Sequence, residues 1–196
     1  IQNIDQDFET FAFELTARVA SVLDADYCGF VEVDAETNQM RIIAGHGWEQ
    51  EEFAESAIPI TESTLAGYTL IQQRPVIIEN MNEDNLFDDF KRLFPYPIFS
   101  SMSVIAGTND APLGVLGVYT RQMRQFSQDD LNFVQAAANI LATLIRRRTN
   151  ELFLRESEQK TRGVVEHSYD GIRLLDENGV VIAWNAANER ITGLKR

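Results

Sequence analysis

Apolar residues recur at steps of three and four near the start of the chain, as Phe8, Phe11, Leu15 and Leu23 illustrate. This period predicts an amphipathic helix over about residues 5–24. Shorter apolar runs bounded by turn residues follow it and predict several strands and one helix. The predicted strands are 27–33, 40–44, 76–78, 101–106 and 113–119, and the predicted helix is 65–73.

A second apolar stripe begins after Phe126 and predicts a much longer helix. Ser127 and Asp130 have the spacing of a capping box, and no Gly or Pro occurs from Ser127 through Arg162. The pattern therefore predicts an uninterrupted helix of about 35 residues, ~50 Å long. The stripe fades after Ile145, so we expect the distal part of the helix to be held less firmly. Its apolar positions repeat with heptad spacing at Leu131, Val134, Ala138, Leu141 and Ile145.

The composition suits a packed core and excludes several classes of function. Hydrophobic residues make up 44% of the chain, and the net charge of −13 disfavours binding to DNA or RNA phosphates. No apolar run approaches the ~20 residues needed to cross a bilayer, and the first residues do not resemble a signal peptide. One cysteine fits a reducing compartment. We therefore expect a cytoplasmic protein with no membrane segment and no nucleic-acid partner.

The order of these elements, together with several short sequence motifs, resembles a GAF domain between Phe8 and Arg148. The resemblance implies an α+β fold with an antiparallel sheet flanked by helices. It also implies a small-molecule or light sensor that controls an output domain, with a pocket on one side of the sheet. On the other side, the first and last helices of such domains commonly dimerise. The matching segments are Ile58–Ile60, Ser63–Tyr68, Gln73–Asn80, Ser101–Ala106, Leu113–Tyr119 and Phe126–Asp130.

The last 34 residues resemble the N-terminal part of a PAS domain, chiefly through Asn185, Glu189 and Gly193. The chain is therefore divided into a GAF domain (1–148), a helical linker (149–162) and an incomplete PAS domain (163–196). Chains that combine the two families usually belong to histidine kinases of two-component systems, cyclic-diguanylate enzymes or related regulators. Because a PAS core needs about five strands and two are predicted, we expect Gly163–Arg196 to be poorly ordered or packed against another chain.

These resemblances lead to the hypothesis of a regulatory sensor and dimerisation module. It would form a homodimer and relay the state of a ligand or domain through paired helices to an effector domain in the same chain. The predicted dimer interface consists of Phe8, Phe11, Leu15, Leu141 and Ile145.

A cluster of aromatic residues between the predicted strands is the candidate for a small-molecule pocket, with hydroxyl groups from the following strand. Ordinary packing of a helix on the sheet would explain the same aromatic residues, and the sequence leaves both interpretations open. The candidate ligand-binding residues are Phe30, Phe90, Phe94, Tyr96, Phe99, Ser101 and Ser103.

Two further residues are candidates for binding a chromophore. Cys28 is either a small core residue or a thiol for bilin attachment. GAF relatives that bind bilin carry their cysteine later in the domain, before a His, and no cysteine follows Cys28 here, so no covalent bilin is expected. His46, between two glycines, is either a structural residue or a ligand for haem. A chromophore- or haem-binding GAF sensor is therefore the alternative function.

No pattern in the sequence indicates catalysis or a metal site within these residues. Phosphate-binding and nucleophile motifs are absent, and neither histidine has a metal-ligand spacing. Methionine sulfoxide reductases with a GAF fold depend on several cysteines, and a single cysteine leaves no resolving thiol. We therefore predict no catalytic residue and leave the cofactor unassigned.

Overall fold

The computed structural model describes residues 2–48, 57–81, 83, 87 and 96–194. The chain divides into two compact units, Ile1–Arg148 and Thr149–Arg196. One long helix contributes to both of them.

The first unit is built on a six-stranded sheet in which every neighbouring pair is antiparallel. The elements are α1 (Gln2–Val22), β1 (Tyr27–Asp34), β2 (Gln39–His46), β3 (Ala57–Pro59), α2 (Leu65–Gln72), β4 (Val76–Ile78), β5 (Ser100–Thr108), β6 (Ala111–Thr120) and α3 (Gln128–His167). The strand order is β3-β2-β1-β6-β5-β4. This arrangement confirms the predicted α+β fold, in which an antiparallel sheet is flanked by helices.

Helices α1 and α3 share one face of the sheet and form the larger core with it. Phe8, Leu141 and Ile145 are at most 5% exposed and belong to this core, whereas Phe11 is 38% exposed and Leu15 is half-buried. All five are predicted to lie in an interface between two copies of the chain. The structure corrects this for Phe8, Leu141 and Ile145, because the heptad stripe of α3 packs against the chain's own sheet.

Side chains just before α2 and α3 cap the first turns of these helices by hydrogen bonds. Thr64 caps α2 by accepting a hydrogen bond from the Gly67 amide at 3.2 Å. At the start of α3, the Ser127 amide donates to Asp130 at 2.8 Å and the Asp130 amide donates to Ser127 Oγ at 3.1 Å. This reciprocal pair is the predicted capping box, and it satisfies two backbone donors that the helix cannot. The observed helix is 40 residues long and ends at His167, beyond the predicted Arg162.

The second unit adds a hairpin and a short helix to the distal part of α3. Its elements are β7 (Arg173–Leu175), β8 (Val181–Trp184) and α4 (Ala186–Thr192). Asn185 is fully buried and holds them together: its Oδ1 accepts from the Ile172 amide at 2.9 Å, and its Nδ2 donates to the Val165 carbonyl at 2.8 Å. The hairpin and helix follow the predicted order, while the assignment of these residues to the PAS family stays a prediction.

Candidate functional site

The second face of the central sheet carries a cluster of aromatic side chains, which we call the aromatic face. It is formed by Tyr27 of β1, Tyr119 of β6, Trp48 and Tyr96. Trp48 stacks on Tyr27 with ring centroids 5.8 Å apart and planes inclined by 23°, and it meets Tyr119 edge-on at 6.0 Å. Tyr96 lies 5.6 Å from Tyr27 on the same face. Such spacings are typical of favourable aromatic pairs.

A row of glycines lies directly beneath these rings. In the strand register Gly45 faces Gly29, Gly29 faces Gly117, and Gly117 faces Ser103. A methyl group on Gly29 would lie 2.6 Å from Trp48 Cζ2, and one on Gly117 would lie 2.8 Å from Tyr119 Cζ. Three adjacent strands therefore lack side chains at the positions beneath the Trp48 and Tyr119 rings. We call Gly45, Gly29 and Gly117 the glycine row.

The chain places Trp48 over this row by a sharp turn immediately after β2. The strand ends at His46, and Gly47 adopts a φ of +93°, which residues with a side chain rarely adopt. A methyl group on Gly47 would also collide with the Asp26 carbonyl. The motif Gly45-His46-Gly47-Trp48 thus reverses direction and returns the indole over Gly45.

Polar groups on this face come from β5, α2 and Arg121, whose Nε donates to the Tyr27 hydroxyl at 2.7 Å and whose guanidinium lies 5.1 Å from the centre of the Tyr27 ring. Ser103 Oγ lies 2.5 Å from Thr69 Oγ1, and Thr69 also donates to the Leu65 carbonyl at 2.8 Å. Ser101 is paired in the strand register with Tyr119, which belongs to the aromatic face, and with Ile78, which packs against that face. Its side chain is fully buried, yet its Oγ has no hydrogen-bond partner within the part of the chain that the structure describes. Ser101 is therefore the polar group that a bound molecule could still satisfy.

The structure brings together only some of the predicted ligand-binding residues. Tyr96, Ser101 and Ser103 share the aromatic face. Phe30 does not: it is fully buried in the core beneath α1 and α3, because alternate residues of a strand point to opposite faces of the sheet. This placement corrects the prediction that Phe30 forms a wall of the pocket.

The remaining predicted ligand-binding residues are Phe99, Phe90 and Phe94, and none of them is placed on the aromatic face. The Phe99 side chain is half-buried, and its backbone joins two neighbours: its amide donates to Thr120 and its carbonyl accepts from Met81, each at 2.7 Å. Phe90 and Phe94 lie outside the described residues. Trp48 and the glycine row are not among the residues predicted from the sequence, although the motif Gly45-His46-Gly47-Trp48 is a local signal for a turn that returns the indole over the strand.

Cys28 and His46 lie opposite each other in adjacent strands, on the face that packs against the helices. Burial raises the pKa of the Cys28 thiol far above its usual range, so the reactive thiolate does not form at neutral pH. Burial likewise raises the pKa of Tyr119, and the nearby Cys28 raises it further. Neither Cys28 nor His46 faces the aromatic cluster, so this arrangement does not favour the alternative of a bound chromophore or haem.

Within the described ranges, no group of three or more His, Cys, Asp or Glu side chains could hold a metal ion. Among the helices in those ranges, none is long and apolar enough to cross a membrane.

Comparison with solved structures identifies the fold. The GAF domain of an Acinetobacter phosphoenolpyruvate-protein phosphotransferase superposes with a TM-score of 0.64 at 18% identity, over 76% of this chain and 92% of that one. A methyl-accepting chemotaxis protein gives 0.63 at 14% identity, over 75% and 94%. Free methionine-R-sulfoxide reductase from Neisseria meningitidis gives 0.62 at 16% identity, over 76% and 87%. At these identities the likeness concerns the fold alone.

The comparison with curated proteins gave no match. A family model does match, and it covers most of the first unit. The GAF domain model aligns with residues 7–145, which include the whole sheet, most of α1, all of α2 and the part of α3 that contributes to the core. The chain therefore belongs to the GAF domain family.

Proposed function

We propose that this chain is the regulatory sensor and dimerisation module of a multidomain signalling protein. It relays the state of a ligand or of a neighbouring domain through paired helices to a downstream effector. GAF domains are typical of signalling sensors. The observation that most directly supports a relay is the path of α3. Val134, Leu141 and Ile145 lie in the core beneath the sheet, and the same helix continues to His167 in the second unit.

The helix face that points away from the sheet supports pairing of two copies. Phe133 and Ile140 of α3 are 36% and 47% exposed, and Leu144, one turn further along, is half-buried against the core. Phe11 and Leu15 are spaced four residues apart on α1, so they lie on one side of that helix. An interface formed by these side chains would remove apolar surface from water, at about 25 cal/mol per Å².

The aromatic face supports the ligand-binding part of the proposal. It combines large apolar rings with a buried hydroxyl that has no hydrogen-bond partner among the described residues, which is the composition of many small-molecule sites. A ligand can shift the relay only by its difference in affinity for two states of the module. The proposed ligand-contacting residues are therefore Tyr96, Ser101 and Ser103, with Trp48 added from the structure.

The second unit supports the proposal of a downstream domain in the same chain. Leu174 and Leu175 of β7, and Val181 and Ile182 of β8, are about half exposed. A two-stranded sheet with such residues uncovered is marginal by itself. We propose that the unit is the beginning of a PAS domain whose further strands cover this hairpin. Limited proteolysis checks the idea: rapid cleavage after residue 167 in this chain is expected, and a resistant monomer contradicts it.

Sedimentation velocity at micromolar concentration tests the dimer, with one matched pair of variants. Ile140→Asp places a charge on the proposed interface and is expected to shift the chain to monomer. Ile71→Asp is the control, because Ile71 on α2 is 44% exposed, similar to Ile140, and lies on the other side of the sheet. A wild-type chain that remains monomeric, or an equal effect of both variants, contradicts the proposal.

A further inference from the structure

We infer that Glu32, Arg148 and Arg41 form a latch, which we call the exit latch, at the point where α3 leaves the first unit. The Glu32 carboxylate holds Arg148 while this part of α3 is docked, and it passes to Arg41 when the last docked turn of the helix is released. This inference rests on the proposed relay through α3. It adds the contact that decides whether the helix is held or free at this point.

The first argument is that two arginines share one carboxylate. Arg148 of α3 contacts Oε1 of Glu32, and Nη2 of Arg41 lies 3.8 Å from the other oxygen, Oε2. Arg41 stands opposite Glu32 in the pairing of β2 with β1. At 3.8 Å the Arg41 pair has no hydrogen bond, so this guanidinium has room to move closer. The two guanidinium groups carry like charges, and departure of Arg148 therefore favours the approach of Arg41.

The second argument is that Arg148 lies where the burial of α3 in the first unit ends. Ile145 is 3% exposed in the core, whereas Arg146 and Arg147 are exposed. The Arg148 side chain is 13% exposed, and its guanidinium lies 4.6 Å from the centre of the Phe8 ring of α1. Release of Arg148 therefore frees the last turn of α3 that belongs to the first unit.

The third argument concerns the cost of that release. Glu32 is 14% exposed, and a nearly buried carboxylate that loses a neighbouring cation is destabilised. The Arg41 side chain is 58% exposed, so it can approach Glu32 by a change of rotamer that leaves the pairing of β1 with β2 intact. Because one cation replaces the other, release of α3 costs less than it would with Arg148 alone.

The N-terminal end of α3 is held without such an exchange. The Arg124 guanidinium donates to the Leu23 carbonyl just after α1 and lies 3.6 Å from Asp130 in the first turn of α3. The Arg124 amide donates to Ser100 Oγ at 2.9 Å, and the guanidinium lies 5.3 Å from the centre of the Phe126 ring. Within the described ranges, Arg124 is the one basic partner of Asp130 in an ion pair. The exit latch is therefore the end at which α3 can open.

A cysteine at position 145 measures this opening, because it reacts with a thiol reagent only when the last docked turn leaves the core. Ile145→Cys is made in the full chain together with Cys28→Ala, which removes the natural thiol. Leu141→Cys, one turn earlier and fully buried, reports opening of the helix as a whole. Leu144→Cys, half-buried against the same core, is a second reporter, so the test does not depend on the folding of Ile145→Cys.

Arg41→Gln is expected to slow labelling at position 145 about threefold to fivefold, because the released state loses its replacement cation. Labelling at position 141 is expected to stay unchanged. Arg148→Gln is expected to speed labelling at position 145 about tenfold or more. Arg74→Gln is the matched control: it removes the same charge from the exposed segment between α2 and β4 and should leave both rates unchanged.

A double variant shows whether Arg41 acts through Glu32. In a Glu32→Gln background, Arg41→Gln is expected to have no effect on labelling at position 145, because the shared carboxylate is gone. Faster or unchanged labelling after Arg41→Gln in the otherwise native chain overturns the inference, as does a slowing that persists in the Glu32→Gln background. The rates are measured at low concentration on monomeric chain, so failure of the latch and failure of the dimer are told apart.

Discussion

Arg148 of α3 forms an ion pair with Glu32 of β1, and both side chains are nearly buried, at 13% and 14% exposure. The Arg148 guanidinium also lies 4.6 Å from the centre of the Phe8 ring on α1, and Arg41 of β2 approaches the same carboxylate at 3.8 Å. Arg148 is the last residue of the first unit. The pair therefore joins the sheet and both helices at the point where α3 leaves that unit.

We predict that Glu32→Gln and Arg148→Gln each lower the free energy of unfolding of the first unit by about 1–3 kcal/mol. Each variant removes one member of the pair from beside the other's nearly buried charge, and Arg41 still approaches Glu32 in the Arg148 variant. The double variant is therefore expected to lose less than the sum of the two single losses. Urea denaturation followed by circular dichroism measures all four proteins of this cycle.

The exposed pair Glu156–Lys160, one turn apart on α3 at 2.8 Å, is the control for that cycle. Solvent screens both of its groups, so Lys160→Gln is expected to leave stability unchanged. Strict additivity of the Glu32 and Arg148 variants would mean that the two side chains do not interact in solution.

We predict opposite outcomes at two neighbouring serines of β5. Ser103→Ala removes the partner of Thr69 and is expected to lower stability by about 1 kcal/mol. Ser101→Ala removes a buried hydroxyl that has no partner within the described residues, so it is expected to be neutral or slightly stabilising without ligand. Thermal denaturation of the two variants decides the matter, and a loss at Ser101 equal to that at Ser103 contradicts the assignment.

Substitutions at two adjacent residues of α3 are expected to have different effects, one on the stability of the protomer and the other on self-association. Leu141 is fully buried in the core, so Leu141→Ala should cost about 2–5 kcal/mol of stability. Ile140 is 47% exposed, so Ile140→Ala should change the stability of the protomer by less than about 1 kcal/mol while weakening self-association. Denaturation at low protein concentration and sedimentation measure the two effects. The reverse pattern would restore the interface first predicted from the heptad spacing.

The buried thiol of Cys28 predicts a loss of stability at alkaline pH. Burial raises its pKa in the folded chain, so the folded state keeps the proton where the unfolded state releases it, above pH ~8.5. The stabilising contribution is therefore complete below that pH and is lost as the pH rises above it.

The measurement compares wild type with Cys28→Ala between pH 8 and 9.5. Above its usual pKa the thiol should cost the wild type about 1.4 kcal/mol per pH unit relative to the variant. A native chain should also react slowly with a thiol reagent at pH 8. Parallel pH curves for the two proteins, or fast labelling of the native chain, would show that the thiol is accessible.

Local patterns were sufficient to predict most of the elements of the first unit. The strands at 27–33 and 76–78, the helix at 65–73 and the capping box of Ser127 and Asp130 lie within one residue of their observed places. These features depend on short-range spacing of apolar, turn and capping residues, which the sequence displays directly. Helix α3 continues to His167, beyond the predicted end at Arg162, because a glycine within a helix, here Gly163, is only mildly unfavourable.

The sequence by itself determined the order of elements and the long helix, which follow from local periodicity. It also indicated the family, through the resemblance of its short motifs. Only the tertiary structure decided which stripe of α3 is buried and on which face of the sheet Phe30 lies, because a pattern of apolar residues does not say what it packs against. Tertiary structure also placed Trp48 over Gly29: the turn at Gly47 is a local signal, but the pairing of β1 with β2 decides that Gly29 lies beneath the indole.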